Sequence, residues 1–351
     1  MAELIKYLEK AVLDQASDIF IVAGGPLSEK VEGCIRAIDE KKLLPPDTKE
    51  LIDEIYSLAN RSMDKYLENG DDDFSFAISG LSRFRVNAYR QRNSLAAVVR
   101  VVSFDIPKWE DINIPEKVMD IADITHGLVL FTGTAGSGKS TTQACIIDRI
   151  NKTRDCHIIT LEDPIEYLHK NQRSIVSQRE IAIDTADYLS ALRACLRQAP
   201  DVILLGEMRD AETMRTAITA AETGHTVIAT MHTKGAVNAI DRVIDSFPGA
   251  YQSQIRFQLA TVLRTVVSQQ MIPDKEGNYI PAFELMHINS AIRAMIRDNK
   301  NHQIENAILA GKNEGMVTMD NYILELYKSG KISKETAISY ADHHDQIMRQ
   351  L

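Results

Sequence analysis

The sequence predicts an α/β protein in which a parallel, helix-covered sheet follows a smaller α+β unit. At 351 residues the chain is longer than a single hydrophobic core usually supports, so two domains are expected. From Leu128 onward, short continuous apolar runs alternate with stretches of helical spacing. Before residue 100 the apolar residues instead show the period of two that marks half-buried strands.

Leu4, Ile5, Leu8, Ala11 and Val12 recur at helical spacing and predict an opening helix. Residues 19–23 read as a strand stopped by Gly24, Gly25 and Pro26. Phe74, Phe76 and Ile78 alternate before a Ser79-Gly80 turn, and Phe84, Val86 and Ala88 alternate after it, which predicts a hairpin. The same alternation puts Arg83 and Arg85 together on the face opposite the apolar residues. The polar stretch 103–115, holding Pro107, Trp109 and Pro115, reads as a linker between a domain at 1–102 and a domain at 116–351.

Beyond it, 128–132, 156–161, 202–206 and 226–231 are apolar runs of strand length, and helix patterns begin near Lys139, Asp187 and Ala211. Such a βαβ series implies a parallel sheet covered on both faces, with ligands at the carboxyl ends of its strands. The tail beyond Ser290 is expected to be mostly helical. No fixed-period repeat is present, which removes solenoid architectures.

The net charge of -9 argues against a broad electrostatic grip on nucleic acid or anionic lipid. No stretch approaches the roughly 20 apolar residues of a membrane helix, and residues 1–20 lack the apolar core of a signal peptide, so a cytoplasmic protein is expected. Cys34, Cys145, Cys156 and Cys195 form no CxxC pair and have apolar neighbours, so they read as buried thiols in a reducing compartment rather than a zinc site.

Gly133, Thr134, Ala135, Gly136, Ser137, Gly138, Lys139 and Ser140 match GxxxxGK[ST], directly after an apolar strand and directly before a helix pattern. The glycines let backbone N–H groups turn inward around phosphates, and the following helix adds the partial positive charge of its N-terminus. A nucleoside triphosphate, ATP, is the expected occupant. Lys139 is expected to reach the β- and γ-phosphates, the Ser140 hydroxyl to ligate Mg²⁺, and Thr141 to complete the nucleotide-binding loop.

Glu162 and Asp163 follow one strand and Glu207 follows another, so all three should emerge at the edge that bears the phosphate loop. Hydrolysis needs one carboxylate near the metal and another to orient or deprotonate the attacking water. Glu207 is assigned to the water, Glu162 and Asp163 to the metal shell, and Glu166 is a fourth candidate. His225 precedes the strand at 226–231 and His232 follows it, so only His232 should face the nucleotide, where its ring can sense the γ-phosphate. His225, just after Gly224, falls at an expected helix C-terminus.

Four ordered blocks then accumulate: GTAGSGKST from Gly133, TLEDPIEY from Thr160, ILLGEMRD from Ile203 and TGHTVIATMHT from Thr223. Together they resemble the Walker A, Asp-box, Walker B and His-box blocks of the secretion-superfamily ATPases that drive type IV pili and type II secretion. RFRVNAYRQR from Arg83 extends the resemblance towards the N-terminus. The chain most resembles the pilus-retraction branch, because it lacks the long N-terminal extension and the four-cysteine zinc insert of assembly ATPases and carries AIRAMIRD from Ala291. Phe20, Ala199, Ala294 and Asp298 depart from the family pattern, where histidine, aspartate, asparagine and glutamate are usual.

The resemblance implies a RecA-like P-loop motor domain with a smaller PAS-like N-terminal domain, assembled as a homo-hexamer. It implies ATP and Mg²⁺ as cofactors and a motor that retracts type IV pili in twitching motility. The implied partner is an inner-membrane platform protein, with membrane contact only through that partner at the inner face of the cell membrane. Arg85 and Arg100, then Arg83 and Arg92, are the candidates for a cation delivered to the γ-phosphate by domain movement about 103–115. Three other readings share parts of this pattern. A pilus-assembly or type II secretion ATPase has the same chemistry, a nucleic-acid translocase is disfavoured by the acidic balance, and a nucleotide-switched scaffold is disfavoured by Glu207, Lys139 and Ser140.

Overall fold

The structure, a computed structural model, describes residues 2–31, 33–102 and 106–351, the side chains of residues 2 and 3 excepted. It divides into two compact units, Met1–Asp105 with Glu166–Leu168, and Ile106–Ile165 with His169–Leu351.

The first unit runs α1 (Ala2–Leu13), β1 (Asp18–Ile21), β2 (Pro26–Val31), β3 (Cys34–Lys42), α2 (Pro45–Leu58), α3 (Asp64–Asn69), β4 (Asp71–Ile78), β5 (Ser82–Gln91) and β6 (Ser94–Val102). Its six strands form one sheet in the order β3-β2-β1-β6-β5-β4, antiparallel at every pairing. One face is apolar because the strands alternate. Ile19, Phe76, Phe84, Val86 and Val99 point into a core completed by Leu8 of α1 and Ile52 and Ile55 of α2. The expected hairpin is β4–β5, with Phe76 opposite Phe84 and Ser75 opposite Arg85. Arg92 and Asn93, with φ of 45° and 65°, make the tight turn into β6, the geometry that suits a two-residue hairpin.

The second unit begins with α4 (Glu116–Met119) and continues through β7 (Gly127–Thr132), α5 (Lys139–Thr153), β8 (His157–Glu162), β9 (Ile175–Glu180), α6 (Tyr188–Cys195), β10 (Val202–Leu205), α7 (Ala211–Glu222) and β11 (Thr226–Met231). It then passes through α8 (Ala236–Asp245), α9 (Gly249–Val262), β12 (Leu263–Pro273), β13 (Tyr279–His287) and the helices α10 (Ser290–Arg297), α11 (Ile304–Ala310), α12 (Met319–Lys328), α13 (Lys334–Tyr340) and α14 (His344–Met348). The sheet order is β13-β12-β7-β11-β10-β8-β9. All neighbours are parallel except β12 and β13. Every residue of β7 and β11 is buried, which is why these segments read as unbroken apolar runs.

Two sequence expectations are corrected. Of the 103–115 linker, residues 103–105 lie outside the described residues, and 106–115 belongs to the second unit. Ile106, Trp109, Ile112 and Ile114 give that stretch an apolar side, and it packs with Val129 and Phe131 of β7. Of the four cysteines, Cys145 and Cys195 are buried and Cys156 is half-buried, but Cys34 is exposed. It opens β3, a sheet-edge strand with Ile38 as its one buried residue. Burial pushes the Cys145 and Cys195 thiols up to about 11, which keeps both protonated and inert. Among the described residues no helix is long and apolar enough to cross a membrane.

Candidate functional site

Strands β7, β11, β10 and β8 are consecutive in the sheet, so the loops after them share one edge. The phosphate loop leaves β7 and enters α5 at Lys139. Gly133, Gly136 and Gly138 have φ of 141°, 76° and 83°, a region closed to most side chains. A Cβ at Gly133 would collide with the Gln269 carbonyl of neighbouring β12 and lie 2.7 Å from Ser137 Oγ. The loop is therefore backbone pressed against backbone, and Thr142 Oγ1 fastens it by donating to Gln269 Oε1 at 2.9 Å.

Lys139 is buried, and its Nζ donates to the carbonyls of Gly133 at 2.8 Å and Thr134 at 2.7 Å. Its ammonium thus stands inside the curl of the loop. Thr134, Ala135, Gly136 and Ser140 are exposed and Thr141 is half-buried, so the rim of the curl is open to solvent. A curl of left-handed glycines around a cation, opening onto a helix N-terminus, matches a polyphosphate in both charge and shape.

The carboxylates gather on the same sheet edge. Thr160 Oγ1 and Gln178 Nε2 donate to Glu162 Oε1 at 2.5 Å and 3.2 Å, which orients that side chain at the end of β8. After β10, the Gly206 amide donates to the Leu161 carbonyl at 2.8 Å. A Cβ on Gly206 would stand 2.9 Å from the Tyr188 hydroxyl. Glu207 follows, with Arg209 at 2.7 Å from Oε2 and His232 Nε2 at 3.4 Å from Oε1. Burial, then the charges of Asp163, Glu207 and Glu162, holds the Tyr188 phenol well above its ordinary range. One neutral hydroxyl thus stands among three carboxylates.

The other predicted residues fall elsewhere. His225 lies at the opposite end of β11, where its Nδ1 meets the Ala220 carbonyl at 2.9 Å and Thr223 Oγ1 at 3.1 Å, closing the C-terminus of α7. Glu166 belongs to the segment that clusters with the first unit. Arg85 is held by both oxygens of Asp73, at 3.1 Å and 2.7 Å, and Arg100 by Asp18 at 3.0 Å. Both lie on the sheet face away from the first unit's core, with Arg83 beside them and Arg92 at the β5–β6 turn.

Sequence reasoning missed Arg209, Tyr188 and Gln269. Arg209 was accessible, since it stands two residues from Glu207 in an extended block. Tyr188 and Gln269 reach the site only through tertiary packing. Among the described residues no group of three or more His, Cys, Asp or Glu side chains is arranged to hold a metal ion.

A family profile described as type II/IV secretion system protein matches residues 2–278. The chain belongs to that family. As a member of the secretion-system family it is 42% identical over 324 residues to the type IV pilus retraction ATPase PilT of Pseudomonas aeruginosa, covering 92% of this chain and 93% of the relative. It is 38% identical over 346 residues to the type IV pilus ATPase PilU of the same organism, covering 98% and 90%. A solved structure of the pilus retraction motor PilT with bound ADP superposes with a TM-score of 0.89 at 42% identity, covering 99% of each chain. This secretion-system family member has the RecA-like P-loop fold with a smaller N-terminal unit, uses a nucleotide, and is an ATP hydrolase.

Proposed function

We propose that the chain is a motor ATPase that couples ATP hydrolysis to type IV pilus retraction, and so to twitching motility. The observation that carries this is the placement of Glu207 against His232 on the sheet edge that bears the Lys139 loop. The likeness to PilT over nearly the whole chain supports the pilus as the load.

The chemistry follows from the side chains. Lys139 exchanges the loop carbonyls for the β- and γ-phosphate oxygens, and the α5 N-terminus adds its partial charge. Mg²⁺, held by Ser140 and the phosphates with Glu162 and Asp163 in its outer shell, would neutralise charge developing on the transferred group. Glu207 takes the proton of the attacking water, Arg209 keeps its carboxylate aimed, and His232 senses whether the γ-phosphate is still attached. Arg85 or Arg100 completes the site from a first unit of the ring. A cation so delivered accelerates hydrolysis by about 10³ to 10⁵, which makes turnover depend on movement.

The assembly is a homo-hexamer at the cytoplasmic face of the inner membrane, and its partner is the platform protein of the pilus machine. Deletion tests this reading in cells. Surplus pili that do not retract are expected, whereas loss of pili would assign the chain to assembly instead. Hydrolysis measured on size-fractionated protein tests the ring, with turnover expected in the hexamer fraction and absent from the monomer.

A further inference from the structure

Glu284 lies within β13 and is 8% exposed. The amide of Ala236, first residue of α8, donates to its Oε1 at 2.6 Å. The amide of Met319, first residue of α12, faces the same carboxylate and favours its ionised form. Two helix N-termini therefore converge on one buried carboxylate.

Immediately before Ala236 runs the loop 232–235. Gly235, with φ of 84°, donates its amide to Ser268 Oγ at 3.1 Å. Lys234 pairs with Asp342 at 2.9 Å. His232 opens the loop beside Glu207. One end of this short segment is thus anchored at Glu284 and the other stands at the proposed water-activating carboxylate.

We propose that Glu284 is a positioning residue: its carboxylate clamps the start of α8, sets where His232 stands relative to Glu207, and couples the C-terminal helices to hydrolysis. This rests on the role given to Glu207 above. The helices enter through α12 and through two further contacts. Asp342 pairs with Lys234 and hydrogen-bonds through its amide to Asp320 Oδ1 at 2.6 Å. His343 Nδ1 meets Asp320 Oδ2 at 3.0 Å and Glu305 at 3.5 Å.

The clamp has a pH dependence. Burial lifts the Glu284 carboxyl to about 7, opposed by the two amides, while the charges of Asp342 and Glu305 raise it further. Ionised, Glu284 accepts from the Ala236 amide and sets a full negative charge against the N-terminus of α8. Protonated, it loses the charge that strengthens that hydrogen bond and its attraction to the helix N-terminus, so the clamp loosens as pH falls through about 7. Global stability moves the other way. A carboxyl raised above its unfolded value contributes stability that is lost as pH rises through the folded value.

The test is Glu284→Gln in the full chain, with Asp342→Asn as a second variant at the more exposed end. For Glu284→Gln, kcat is expected to fall roughly tenfold or more with KM for ATP nearly unchanged, the signature of misplaced chemistry rather than lost binding. Amide exchange at residues 232–236 should accelerate, and the fall in kcat below about pH 7 should disappear. Asp342→Asn should shift that fall to lower pH, because it removes a charge that raises Glu284. A folded Glu284→Gln chain with unaltered exchange and pH profile overturns the proposal while leaving the role of Glu207 standing. Should that variant not fold, an unmoved profile in Asp342→Asn overturns it. No hydrolysis by the unmodified chain removes both.

Discussion

His232 Nε2 stands 3.4 Å from Glu207 Oε1, across the neighbouring parallel strands β11 and β10. Arg209 holds the other carboxylate oxygen at 2.7 Å. Glu207 thereby has a partner at each oxygen of its carboxylate. A carboxylate so constrained is suited to orient one water molecule, and the consequences can be measured.

Glu207→Gln keeps an oxygen for Arg209 but cannot accept a proton. Steady-state phosphate release should fall by roughly 10² to 10⁴, while titration with a fluorescent nucleotide should give unchanged affinity. Full turnover would take Glu207 out of the reaction.

Lys139→Ala removes the cation from inside the loop and leaves the Gly133 and Thr134 carbonyls without their donor. Hydrogen bonds to charged groups contribute about 1.5 to 3 kcal/mol, so nucleotide affinity should weaken by roughly tenfold to a hundredfold. Calorimetry with ATP and with ADP would read the loss, and undiminished affinity for both would contradict the proposed role of the lysine.

Arg85→Ala and Arg100→Ala break ion pairs with Asp73 and Asp18 whose arginine side chains are 31% and 65% exposed. The Arg85–Asp73 pair is partly exposed on both sides and contributes about 0 to 1 kcal/mol, so Arg85→Ala should barely move melting. Arg100→Ala leaves the Asp18 carboxylate, 12% exposed, without its cation and should lower melting more. The arginine that completes the site should nevertheless lose about 10³-fold or more in hydrolysis by the assembled ring. If neither variant slows the ring, the cation comes from elsewhere.

His169 carries a pH-dependent contribution to folding. Burial lowers its imidazole to about 4, and its Nδ1 has no hydrogen-bond partner among the described residues. A depressed histidine contributes stability that is complete above its unfolded value of 6.5 and is lost as pH falls towards about 4. In urea melts the unmodified chain should lose up to about 1.4 kcal/mol more per pH unit across that window than His169→Gln. Parallel pH slopes in the two proteins would count against a neutral buried ring.

Much of the site was legible because its chemistry is local in sequence. The phosphate loop needs adjacent glycines and a lysine at one helix start, and β7, β10 and β11 are buried on both faces, so Gly133 to Lys139 and the carboxylates at strand ends could be read directly. The β4–β5 hairpin was equally plain, since Phe76 and Phe84 alternate with polar neighbours across one turn. The strands β9 and β12 were not seen. Half-exposed residues break up β9, while Ser268, Gln269 and Gln270 interrupt the apolar run of β12 and cancel the periodic signal.

By itself the sequence determined the fold class, the phosphate-binding chemistry and the strand ends from which Glu162, Asp163, Glu207 and His232 emerge, because each depends on residues close along the chain. Only the tertiary structure decided that Ile114 is core and Trp109 packs against it rather than lying in a linker, that Gln269 backs the phosphate loop, that Tyr188 feels three carboxylates and that Glu284 meets the first amide of α8. Those relationships join residues far apart in sequence, and which of them touch is set by strand order and packing rather than by any periodicity that a single segment can carry.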